Sequence, residues 1–124
     1  MSEHWLIELE PEVREWLDTL STVQYRTVER QADRLAASPT TIGEPYSRHL
    51  QGPVRELRFV LGVDSVRITY WLAPGRRIVL MTVFSKSRMR EEAQVHRAML
   101  KQKECEAEHP PAHVTYDRAP EERT

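Results

Sequence analysis

Apolar residues in the first forty positions recur with two different periods. Trp5, Ile7 and Leu9 alternate with Leu6 and Glu8, the period of two of a strand. Pro11 then opens a helix, since proline suits the first helical turn. Val13, Trp16, Leu17 and Leu20 follow at i, i+3, i+4 and i+7, one apolar stripe, with Glu12 and Glu15 near the positive end. Ser21 with Gln24 three residues on has the form of a capping box. It predicts a second helix over 22–37, with Val28, Ala32 and Leu35 inward, stopped by Ser38-Pro39. So short a connection predicts an antiparallel helical hairpin. Residues 40–53, which contain Gly43, Pro45, Gly52 and Pro53, read as a loop.

Beyond the loop the period becomes two again. In 54–61, Leu57, Phe59 and Leu61 share one face, and Glu56 and Arg58 the other. In 65–72, Val66, Ile68, Tyr70 and Leu72 share one face, and Arg67, Thr69 and Trp71 the other. Turns are expected at Gly62-Val63 and at Ala73-Pro74-Gly75-Arg76. Residues 78–84 are apolar on both faces and predict a central strand. A helix from Arg90 to about Glu108 follows, and 110–124 reads as a polar tail, loose or only docked. The expected fold is α+β in the order β-α-α-β-β-β-α. It has a small antiparallel-rich sheet of about four strands, the N-terminal hairpin on one face and a C-terminal helix. One domain over 1–109 accounts for it, consistent with 124 residues.

A two-residue turn at Gly62-Val63 pairs residues whose numbers sum to 125, which sets Arg58 opposite Arg67, Leu57 opposite Ile68 and Phe59 opposite Val66, whereas a four-residue turn sets Arg58 opposite Thr69 and leaves both arginines on the same face. Like charges directly across a sheet repel. The fold gains nothing from that pairing unless an anion lies between the two. Either they are solvated charges on a wet face, or they hold a phosphate, for which arginine's planar fork is suited. Lys86 and Arg88 follow the central strand at the same end of the sheet. On this face Trp71 is the candidate for stacking on a base. His49, in the loop, is a surface histidine or a residue facing the site.

Composition changes this picture in one respect. The formal net charge is −1, from 18 basic and 19 acidic residues. Yet residues 48–103 carry 12 basic and 4 acidic side chains, a net of +8, between two acidic ends. That asymmetry points to a polyanion. Cys105 is the only cysteine, so no internal disulfide or cysteine zinc cluster is expected. No run reaches a membrane span, and Met1-Ser2-Glu3-His4 does not begin a secretory signal, so a cytoplasmic protein is expected.

Three stretches together resemble a known family. They are His49-Leu50-Gln51-Gly52 with Val54-Arg55-Glu56-Leu57-Arg58-Phe59, then Val66-Arg67-Ile68-Thr69-Tyr70, then Val79 to Phe84 running into Ser85-Lys86-Ser87-Arg88. Over about residues 4–104 the chain is similar to the RelE/HigB-like toxins of type II toxin–antitoxin systems, in particular the phage-derived Gp49-like branch. The resemblance implies a RelE-like fold. It implies a ribosome-dependent endoribonuclease that cuts mRNA in the ribosomal A site by attack of the ribose 2′-OH on the adjacent phosphate. It implies no metal or cofactor, and a cognate antitoxin of helix-turn-helix type as partner. The implied catalytic residues are Arg58, Arg67, Lys86 and Arg88, with Arg55, His49, Trp71 and Arg90 on the RNA. The chain departs from the family pattern at 85–95, which contains neither the Tyr nor the His that several members use in acid–base work. His96, His49 and Tyr116 are the available substitutes. The alternative is a non-catalytic RNA- or protein-binding module acting in a repressor complex. A third reading makes the acidic helices or the tail the working surface.

Overall fold

The first strand, β1 (Leu6–Leu9), stops where Pro11 begins α1 (Pro11–Leu17). The computed structural model describes residues 4–86 and 91–108, and the backbone of 114–115. Ser21 caps α2 (Thr22–Ala37) reciprocally: its Oγ accepts from the Gln24 N–H, and the Gln24 side chain accepts from the Ser21 N–H. Four strands follow: β2 (Ser47–Gln51), β3 (Val54–Leu61), β4 (Asp64–Ala73) and β5 (Arg77–Ser85). Then come α3 (Glu91–Glu108) and the two-residue β6 (Val114–Thr115).

The six strands form one sheet in the order β2-β3-β4-β5-β1-β6. Every neighbouring pair is antiparallel except β1 with β5. The central position expected for 78–84 is observed, with Ile78 to Met81 buried. The β3–β4 register is the one derived from the two-residue turn: Arg58 lies opposite Arg67, Leu57 opposite Ile68 and Phe59 opposite Val66.

Two expectations about the sheet are corrected. Residues 47–51, read as loop, are an edge strand. Only Leu50 in it is apolar, so no alternation marks it, and its pairing with β3 is what makes it a strand. In the polar tail, read as loose or only docked, Val114 and Thr115 pair with Leu9 and Glu8 of β1, which adds a strand to the expected count. The sheet therefore has six strands rather than about four.

Each face of the sheet has its own core. Leu57, Phe59, Val66, Ile68, Tyr70 and Leu80 pack against Val13 and Leu17 of α1 and Val28 and Leu35 of α2. On the opposite face α3 lays Ala98 and Cys105 over Val54, Trp71, Val79 and Met81. α3 covers one end of that face, and the other end carries the arginines.

Candidate functional site

Alternation along β3 and β4 brings Glu56, Arg58, Arg67 and Thr69 to the face opposite the helical hairpin. Glu56 sits across from Thr69 on one side and from Arg48 of β2 on the other. Its carboxylate lies diagonally between the two arginines, with Oε2 3.6 Å from Nε of each. The anion that the facing arginines require is thus already in the chain. Glu56 is 1% exposed and Arg67 6%. Arg67 is therefore not a solvated charge on a wet face. At 3.6 Å these contacts are ion pairs and too long for hydrogen bonds. Among the described residues, Glu56 Oε2 and both Nε atoms have no hydrogen-bond partner. Arg67 donates from Nη1 to its neighbour's carbonyl, Val66 O, at 3.3 Å.

Burial pushes the Glu56 carboxyl above its ordinary range, against the pull of Arg67; repulsion from Glu91 adds to the rise, and Arg58 and Arg48 oppose it. Burial also lowers Arg67, against the attraction of Glu56. Desolvation therefore outweighs attraction in this cluster.

Lys86 directly follows β5. Its N–H donates to Ser65 O at 2.8 Å, and its ammonium is 4.0 Å from Glu91 at the start of α3. A cavity of about 410 Å³ opens beside the cluster, bounded by Arg58, Arg67, Val60, Ser65, Tyr46 and Gln31. Two guanidiniums gathered around one carboxylate carry a net positive charge that can bind a phosphodiester.

The structure brings together Arg58 and Arg67, but not every residue named from sequence. Trp71 has the right parity, yet it is 6% exposed beneath α3, against Met81 and Ala98, so its ring is core and not a stacking platform. Arg55 and His49 face each other across β2 and β3 on the hairpin side, one alternation away from the arginine pair. His49 Nε2 is bound to Gly52 O at 2.8 Å. Arg88, Arg90 and Tyr116 lie outside the described residues. His96 is exposed on α3 beside Glu92 and Met99.

Sequence reasoning passed over two members of the cluster. Arg48 was hidden because 40–53 carried no strand pattern. Glu56 was placed on the correct face, but only its burial reveals it as the counter-charge. Among the described residues no three His, Cys, Asp or Glu side chains group as a metal site, and no helix is long and apolar enough to cross a membrane.

Comparison with known proteins agrees with this architecture. Solved structures similar to it include an Escherichia coli toxin RelE mutant in the free state. That match has 12% identity and a TM-score of 0.58, and it covers 81% of this chain and 98% of that one. The RelE–RelB complex from Pyrococcus horikoshii matches at 20% identity and TM-score 0.52, over 70% of this chain and 100% of the other. The toxin–antitoxin complex RelBE2 from Mycobacterium tuberculosis matches at 14% identity and TM-score 0.51, over 69% and 98%. At these identities the likeness establishes a RelE-like fold. No curated protein gives a significant sequence match. The family model for phage-derived Gp49-like proteins matches residues 15–104, and the chain belongs to that family.

Proposed function

We propose that this protein is the toxin of a type II toxin–antitoxin pair and acts as a ribosome-dependent mRNA endoribonuclease. The observation that carries the reading is the Arg58–Arg67 pair, set face to face on a RelE-like sheet around a buried carboxylate. A scissile phosphodiester fits the chemistry of that pair. The ribose 2′-oxygen attacks phosphorus, the bond to the 5′-oxygen breaks, and a 2′,3′-cyclic phosphate remains. Arg58, Arg67 and Lys86 neutralise the charge that builds on the pentacovalent phosphorus. The 2′-OH proton passes to solvent, and the departing 5′-oxygen takes a proton from water. Arg88 is assigned as a further catalytic cation, and Arg90 to RNA, on their sequence positions alone. An antitoxin is the expected partner, since two of the similar structures are complexes of a toxin with its antitoxin. A helix-turn-helix type is the form expected for a HigB-like toxin.

Expression without an antitoxin, with mRNA 5′ ends mapped in the arrested cells, tests the reading. Wild type should stop growth and cut translated mRNA. Arg58→Ala and Arg67→Ala, each checked for folding by circular dichroism, should relieve both. Growth arrest with intact mRNA would replace catalysis by the binding-module reading, which the absence of Tyr and His from residues 85–95 favours.

A further inference from the structure

We propose that the cavity beside Arg58 and Arg67 is a nucleobase subsite, with Tyr46 as its stacking platform and Gln31 at the base edge. The inference rests on the reading of the arginine pair as a phosphate site and names what binds next to it.

The cavity is neither purely apolar nor purely charged. Arg58, Arg67, Val60 and Ser65 of the sheet line it together with Tyr46 and Gln31. Its volume of about 410 Å³ lies within the range of about 300–1,000 Å³ typical of small-molecule sites. That is room for one nucleotide and not for a folded segment.

Tyr46 is unusual for an aromatic ring because it is 41% exposed while held in place. The Arg34 guanidinium covers one side of the ring, 3.8 Å from its centroid. Arg34 is fixed in turn by its Nη1 donating to Gln31 Oε1 at 2.8 Å, which orients the Gln31 amide. The backbone ties the ring to the phosphate site, since Tyr46 O accepts from the Arg58 N–H at 2.9 Å and the Tyr46 N–H donates to Gly43 O at 3.0 Å. A base on Tyr46 and a phosphate on Arg58 are therefore one residue pair apart, which suits a single nucleotide. An exposed tyrosine with no ligand would be an ordinary surface residue. A tyrosine pre-stacked on one face, bounding a cavity that a pair of arginines also lines, is a preorganised platform.

The test is titration of the full-length protein with each nucleoside 3′-monophosphate and, separately, with inorganic phosphate. One stacked base is worth about 5- to 150-fold in affinity, so the nucleotides should bind tighter than phosphate by a factor in that range. Tyr46→Ala should reduce them to the level of inorganic phosphate without changing the phosphate affinity itself. Tyr46→Phe should bind like wild type. Nucleotides that bind no tighter than phosphate, or an advantage that survives Tyr46→Ala, would overturn the subsite. Nucleotide binding that responds to Tyr46 in a protein that cuts no mRNA would overturn the proposed function and leave the subsite standing.

Discussion

Replacing Glu56 by Gln removes the negative charge between Arg58 and Arg67 while keeping shape and polarity. An incoming anion would have to sit within about the same distance of Glu56 as the guanidiniums do, 3.6 Å in the free protein. Two unit charges 4 Å apart interact by about 1 kcal/mol in water and about 4 kcal/mol at the effective dielectric of a protein surface. The site lies between these limits, since Glu56 is buried and the Arg58 side chain is 24% exposed. A repulsion of about 2 kcal/mol is lifted in the variant, so Glu56→Gln should bind sulfate about 30-fold more tightly. Isothermal titration with sulfate at pH 7 and fixed ionic strength measures it. Equal affinities in the two proteins would refute the claim that Glu56 occupies the anion site.

The same substitution separates charge from stability. Burial raises Glu56 above its ordinary value of 4.5. A raised carboxyl binds its proton more readily folded than unfolded, so its contribution to stability is full below about pH 4.5 and is lost as pH rises through the folded value. Glu56→Gln mimics the protonated form and lacks that loss. The variant should therefore melt at or above the wild-type temperature at pH 7, and the two should converge as pH falls toward 4.5. A variant less stable than wild type at pH 7, by an amount that shrinks in acid, would mean that attraction outweighs desolvation in this cluster.

Two further outcomes concern residues near α3. Trp71→Ala should cost about 3–5 kcal/mol by creating a cavity under α3, while Trp71→Phe keeps the wild-type sulfate affinity, because the ring is core; thermal melts and titration check both. Burial pushes the Cys105 thiol up to about 11, so it should resist a thiol reagent at pH 8 in the native protein and react promptly in denaturant, as followed by absorbance.

Much of the fold follows from sequence because local rules and tertiary structure agree. The Ser21–Gln24 capping box, the Pro11 start and the two-residue turn at Gly62-Val63 each specify a local geometry with little competition. β2 escaped because Ser47-Arg48-His49-Leu50-Gln51 owes its extension to hydrogen bonds with β3 and not to its own pattern. Trp71 shows the limit of parity. Period two assigns a side chain to a face, but which part of the face a distant helix will cover depends on the path of α3. Glu56 shows the same limit for charge. Sequence places it between two arginines, and burial alone distinguishes a wet carboxylate from an internal counter-ion.

The segregated charge of the chain acquires a structural meaning from the parallel pairing of β1 with β5. Glu8, Glu10 and Glu12 belong to the acidic N-terminal segment, and each meets a cation from the basic middle: Arg77 at 3.2 Å, Lys101 at 3.5 Å and Arg97 at 2.5 Å. Glu12 also accepts from the Val83 N–H at 3.0 Å, a donor of β5 beyond the last residue paired with β1. Acids distant in sequence thus become the counter-ions of β5 and α3, and three of the middle's cations are tied up in holding the fold together. Among the described residues around Glu56 and Glu91 stand Arg48, Arg58, Arg67 and Lys86, four cations against two carboxylates. Protonation of Glu56 raises that excess by one charge, between the two arginines.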